Sequence, residues 1–335
     1  MPFIFVVGNS RSGTTMMGRI LNNHEKVHTF PELHFFEQLW SSNEKKKVLS
    51  NEEALKLAAL LLNISREGYF AKKHPQDFSK EAMRIVSFIS PAEITSLKIF
   101  SSVILSEAKR NGKEFPCDQT PQNVFYIHEI LEAFPDSFFI NMVRDPRDVL
   151  LSQKRKWKRR FLGGTHATWY ETIRAWTNYH PITISKLWNA AIRSGKNVND
   201  TRVISVQFEE LLKDPDHTIE RICNQIGISF SPELKEVPHV GSSSGMDKKD
   251  VKGINTDRVQ SWERGGLNNT EIWFCQRACH AYMKQLGYES GKVSPNPLLV
   301  IFYYSIFPVK LGFAFLLNIH RMKNIVETMK KRMGR

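Results

Sequence analysis

The residues best equipped for chemistry stand close together near the start of the chain. Ser10-Arg11-Ser12-Gly13-Thr14-Thr15 follows an apolar run, Phe3 to Val7, that ends at Gly8. Met16, Met17, Ile20 and Leu21 then recur at helical spacing. The order predicts a strand, a tight loop and a helix N-terminus. Loop amides and the positive end of the helix dipole together gather an anion. Arg11 adds a planar fork that suits one phosphate or sulfate group. The spacing approaches a nucleotide P-loop, with Gly8 and Gly13 at the glycine positions and Thr15 at the metal-binding hydroxyl. Thr14, however, replaces the lysine that reaches the β- and γ-phosphates, so a nucleoside triphosphate fits poorly. A single anionic group on the 5′ side is the expected ligand. An ordinary strand–helix turn is the alternative.

A second strand–helix junction runs from Phe138 to Ser152. Arg144 stands at the end of the apolar run, Asp145 suits the N-cap and Pro146 the first helical position. Ser152 lies about two turns into the helix, where it can share an anion with Arg144, and Lys156 falls one turn further on the same face. Solvated charges at a surface junction would read the same way. Glu32, in Val27-His28-Thr29-Phe30-Pro31-Glu32-Leu33-His34, is the candidate general base, a carboxylate at the C-terminal edge of a sheet near the anion loop. A glutamate favoured by a helix dipole is the bland reading. His28 and His34 flank it, and either one could contact a substrate or be structural. No histidine pair has metal-ligand spacing, and no metal is expected.

Arg-Ser-Gly-Thr-Thr after a first strand, with Arg144-x7-Ser152 after a later one, resembles the sulfotransferase superfamily. Those enzymes use 3′-phosphoadenosine-5′-phosphosulfate, PAPS. The resemblance covers roughly residues 3–288 and includes Asp118-Gln119-Thr120-Pro121, Val203 to Leu211, Arg258, Trp262 and Leu286-Gly287-Tyr288. It is nearest to the bacterial-type, carbohydrate and protein-tyrosine branch. It implies that residues 10–15 hold the 5′-phosphosulfate, that Arg144 and Ser152 (with Lys156 beside them) hold the 3′-phosphate, and that Glu32 is the base, with Arg11 stabilising charge on the bridging oxygen. Phe208 matches the aromatic position beside the adenine, where its ring could stack on the base or simply be core. Gly241 to Asn255, with Lys248, Lys249 and Lys252, resembles the late loop that closes over the nucleotide. In one departure, Gln119 stands where the protein-tyrosine branch has a lysine thought to stabilise the transition state, and Lys98 is a candidate to compensate.

These residues must be positioned by a body whose expected fold is α/β, a P-loop-like parallel sheet flanked by helices. Residues 1–290 read as one domain, with a helical insertion at 44–94 that forms the acceptor cleft. Residues 291–335 read as linker, apolar segment and basic tail. Leu298 to Ile319 is apolar apart from Lys310 and long enough to span a bilayer, but Pro308 and Lys310 are expected to break it midway. An interfacial anchor with the tail on anionic lipid is expected, against a helix packed on the body or a dimer contact.

The chain has 335 residues, with 47 basic and 34 acidic, for a net charge of +13. That excess suits anionic nucleotides or lipid. No nucleic-acid motif accompanies it. Four cysteines without metal or disulfide spacing, and a strand beginning at residue 3, point to the cytoplasm, peripherally or monotopically at the membrane face. The expected acceptor is a hydroxyl of a carbohydrate or glycolipid. A P-loop kinase or NTPase, or an inactive nucleotide-binding membrane adaptor, are the rival functions.

Overall fold

A computed structural model describes residues 2–69, 75–158, 168–239, 248–254 and 258–333. It begins with β1 (Ile4–Gly8), α1 (Thr14–Asn22) and β2 (Val27–Phe30). Three helices follow, α2 (Asn51–Glu67), α3 (Ser79–Ser87) and α4 (Ser96–Arg110), leading to β3 (Phe115–Asp118). After α5 (Ile127–Ala133) come β4 (Phe138–Val143), α6 (Pro146–Arg155), α7 (Trp169–Asn178) and α8 (Pro181–Lys196). Then come β5 (Val203–Gln207), α9 (Phe208–Lys213), α10 (Pro215–Ile226), β6 (Pro238–His239) and β7 (Lys248–Lys252). The last helices are α11 (Asn269–Gln285), α12 (Pro297–Asn318) and α13 (Ile325–Met333).

The main sheet is parallel throughout, in the order β2-β3-β1-β4-β5, and matches the expected α/β class. Its central strand is buried at every residue, as a strand covered by helices on both faces must be. Alternation splits the core. Phe5 and Val7 join Phe36, Phe100 and Phe139 on one face, where the rings of Phe5 and Phe139 stack at 5.2 Å. Ile4 and Val6 join Met17, Ile140, Val206 and Ile219 on the other. From β1 the chain turns to one side of the sheet, and from β4 to the other. The loops after these neighbouring strands therefore open at the switch point where ligand crevices form.

Between β2 and β3, α2 opens with a capping box formed by Ser50 and Glu53. Near its end Arg66 reaches Glu107 of α4 at 2.5 Å and Glu81 of α3 at 2.6 Å, tying the three helices together. Two expectations change in the later part of the chain. The segment expected as a late loop contains β7, antiparallel to β6; residues 240–247 and 255–257, including Ser242–Ser244, Gly245 and Asn255, lie outside the described residues. Pro308 does not break the apolar segment, because α12 runs through it as one helix of 22 residues. Proline removes a single backbone donor. Neighbouring groups hold α12 along its length: Tyr170 Oη donates to Leu317 O at 2.8 Å, Lys310 Nζ to Tyr179 O at 2.8 Å, and Asn318 Nδ2 to Asn178 Oδ1 at 2.8 Å.

Candidate active site

The loop after β1 is fixed by its own backbone. Ser12 N donates to Asn9 O at 3.1 Å, while Arg11 and Gly13 hold positive φ of 79° and 97°. Gly13 is required by more than φ. A Cβ there would lie 2.3 Å from the Phe208 ring, so the loop packs straight onto the start of α9. α1 begins at Thr14, as the sequence predicts, with Gly13 at its N-cap and, among the described residues, no side-chain cap on its first amides. Ser12 Oγ is buried without a hydrogen-bond partner among the described residues.

The second junction meets this loop. Asp145 caps α6, accepting from Arg147 N at 2.8 Å, and Pro146 opens the helix. Arg11 Nε donates to Ser152 Oγ at 2.9 Å, and Arg144 Nη1 lies 3.4 Å from Arg11 O. The 5′-side and 3′-side candidates are thus already in contact. Arg144 is held from several directions. Its Nη2 donates to Arg258 O at 2.9 Å and lies 3.5 Å from Asp148 Oδ2, and its guanidinium sits 4.5 Å from the Phe208 ring centre. Its Nε is a buried donor without a partner among the described residues. Trp262 N donates to Asp148 Oδ1 at 2.9 Å. Burial pushes the Asp148 carboxyl up, and the Arg144 charge opposes that rise.

Phe208 needs a correction. It is 2% exposed, wedged between Gly13 and Arg144, and presents no open face on which a base could stack. The first residue of α9 is drawn into the core under β5, so its ring supports the anion loop from behind. Lys252 is exposed at the end of β7. Lys98 is exposed on the first turn of α4.

Glu32 lies beyond β2 at the same sheet edge. His34 Nε2 is 3.2 Å from Glu32 Oε2. Burial alone would raise the Glu32 carboxyl, but the His34 hydrogen bond and the charges of His34, Lys156 and Arg11 outweigh it and hold the group below the usual glutamate range. Its side chain nonetheless remains 40% accessible, as a reacting carboxylate requires. Lys156, expected beside Ser152, therefore also acts on Glu32. The turn carrying Glu32 is anchored to the end of β3. Thr120 Oγ1 accepts from the amides of Leu33 at 2.9 Å and His34 at 3.2 Å, and donates to Asp118 Oδ1 at 2.6 Å. Asn123 Nδ2 holds the other Asp118 oxygen at 2.9 Å. Gln119, between them, packs its Oε1 against Gly18 of α1.

Sequence reasoning missed this support. Asp118-x-Thr120-x-x-Asn123 has the short polar spacing of side chains that bond local backbone, which was the available signal. The Glu32–His34 bond had no such signal, since it depends on His34 adopting a left-handed φ of 52°.

The sulfotransferase family model matches residues 2–232. The chain belongs to the sulfotransferase family. Among similar sulfotransferases, the omega-hydroxy-beta-dihydromenaquinone-9 sulfotransferase Stf3 of Mycobacterium bovis is 23% identical, over 70% of this chain and 66% of its own length. Protein-tyrosine sulfotransferase 2 of Gallus gallus is 22% identical, over 78% of this chain and 63% of its own. The chain thus spans just under two thirds of each of these relatives. The sulfotransferase domain from the curacin biosynthetic pathway shares the fold, with a TM-score of 0.51 and 18% identity over 87% of this chain and 99% of that one. Among the described residues no cluster of histidine, cysteine, aspartate or glutamate is arranged to hold a metal.

Proposed function

We propose that the protein moves a sulfuryl group from PAPS to a hydroxyl group of a carbohydrate or glycolipid at the cytoplasmic face of a membrane, releasing adenosine 3′,5′-bisphosphate. One observation carries this reading: Arg11 links the two anion motifs through Ser152, and its charge also acts on the Glu32 carboxylate. The groups proposed to bind the donor and to accept the proton therefore share one sheet edge. The polar complement fits a phosphate-bearing donor. Ser12 Oγ and Arg144 Nε are buried donors that an anion would satisfy, and the N-terminus of α1 adds unshielded amides.

PAPS supplies the activated sulfuryl group. Residues 10–15 would grip its 5′ side, and Arg144, Ser152 and Lys156 its 3′-phosphate, with Lys252 approaching from β7. Phe208 serves this reading by bracing Gly13 and Arg144. Glu32, held ionised and oriented by His34, would take the acceptor hydroxyl proton as the new O–S bond forms. Arg11 would hold the charge left on the bridging oxygen as the old S–O bond breaks. Positioning and electrostatics suffice for such a transfer. A kinase reading is disfavoured by Thr14 in the lysine position.

The test is calorimetric titration of adenosine 3′,5′-bisphosphate and of ATP into wild type and Ser152→Ala. The expected result is tight bisphosphate binding, weakened about tenfold by the loss of one charge-assisted bond, with little response to ATP. Equal binding of both nucleotides, unaffected by the substitution, would refute the donor assignment.

A further inference from the structure

We propose that α7 and α12 together form a face that docks flat on an anionic lipid bilayer. α12 has a mean hydropathy of 1.8 over its apolar window and buries no residue, although it lies against the body. Leu298, Ile301, Phe313 and Leu316 are each 59–76% exposed. α7 extends the same apolar surface with Ile173 and Trp176, at 56% and 57%. Lys310, the one charged residue of α12, turns its ammonium inward to Trp176 O at 3.1 Å and Tyr179 O at 2.8 Å. The outer side of the helix is left without charge over about 33 Å of length. The bonds from Tyr170, His180 and Asn178 along α12 hold it parallel to the protein surface, which is the geometry of a helix lying on a bilayer.

Charge selects the partner. No aspartate or glutamate occurs between Glu289 and Glu327; of the cations there, Lys292 is exposed, whereas Lys310 turns inward and Arg321 and Lys323 pair with Glu171 and Glu44. Lys186, exposed on α8, places its ammonium 5.6 Å from the Phe307 ring. Arg277, exposed on α11, lies over Trp273 at 5.2 Å, and the neighbouring Phe274 ring packs on Tyr304 of α12. An apolar strip with a cationic rim is complementary to acyl chains and lipid phosphates. A two-fold contact between copies would set Lys186 and Arg277 against the same rim, where the α7 carboxylate, Glu171, is already paired with Arg174 and Arg321. Exposed tryptophan and tyrosine suit headgroup depth.

The face also ends near the candidate base. Arg321, just beyond α12, lies 5.3 Å from the Tyr69 ring; Tyr69 packs on His34 at 5.0 Å, and His34 bonds Glu32. Resting on the sulfotransferase reading, this proximity narrows the acceptor to a hydroxyl carried by a membrane lipid.

The experiment is flotation of the full chain with vesicles of phosphatidylcholine, with or without phosphatidylglycerol, alongside light scattering. Three proteins are compared: wild type, Ile173→Gln/Phe313→Gln/Leu316→Gln, and Lys186→Glu/Arg277→Glu. Bisphosphate affinity is followed in each, as a gauge of folding and of the donor site. Wild type is expected to float with the anionic vesicles. The apolar variant should partition about tenfold less for each side chain changed, and the charge variant should lose its preference for phosphatidylglycerol. Wild type left in solution with both vesicles would overturn the proposal. So would a dimer that dissociates in the apolar variant, which would assign the face to a second copy. Floating protein that binds no bisphosphate would keep the docking face and discard the donor reading.

Discussion

Arg11 and His34 share an uncommon property. Both are non-glycine residues with left-handed backbone, and both reach another candidate site residue, Arg11 at Ser152 and His34 at Glu32. Such residues cost of order 1–3 kcal/mol each and persist where the surroundings over-determine them. For Glu32 the arrangement yields an ionised carboxylate at neutral pH. Glu32→Gln should lower kcat by about 10²–10⁴ while leaving bisphosphate affinity nearly unchanged, as steady-state kinetics beside calorimetry would read. The sign of the pH dependence follows from the depressed carboxyl. The acid limb of kcat/KM should fall below about pH 4.3, the unperturbed glutamate value, and not near neutrality. The same group adds stability above that value, and this is lost as pH falls through its lower folded pKa. That Arg11, Arg144 and Ser152 come together was legible, because each follows a strand at a spacing that brings the two junctions to one edge. The His34 contact was not, because a single backbone rotation decides it.

At the scale of elements, β3 positions the turn after β2 through one hydroxyl. Thr120 is fully buried and receives two amides, so Thr120→Val would strand the N–H groups of Leu33 and His34. Each stranded donor costs about 1–3 kcal/mol. Urea unfolding should show a loss of that order, and kcat should fall more than donor affinity, because Glu32 moves while the loop after β1 does not. Equal losses in both would place the threonine in general packing. The strand–loop–helix units could be read from the sequence, since hydrophobic runs, a proline at the first helical position and a capping aspartate are local signals. That Phe208 braces Gly13 could not, because the pairing joins residues far apart in the chain and becomes visible only when α9 is set against the loop.

Across the whole molecule, the basic tail behaves differently from its reading as a lipid-seeking segment. Arg332 pairs with the buried Glu37, Lys331 with Glu129, and Arg321 with Glu171 at 2.7 Å. The net charge of +13 was legible, but the pairing of the tail was not, since each partner carboxylate lies more than a hundred residues upstream. Arg332→Ala should leave Glu37 without its cation and lower stability by about 1–3 kcal/mol, measured by chemical denaturation. An unchanged midpoint would mean that the tail is held by its apolar contacts alone.

The closure by the tail sets an order of maturation. The contacts described above for the loop after β1 lie within residues 8–258, whereas Arg321 meets Tyr69 and Arg332 meets Glu37 only when some seventy further residues are available. During synthesis the loop after β1 and its partners can therefore assemble on the ribosome while the wall beside Glu32 still stands open. Under the proposed function, a nascent chain would recognise its donor before it could enclose an acceptor.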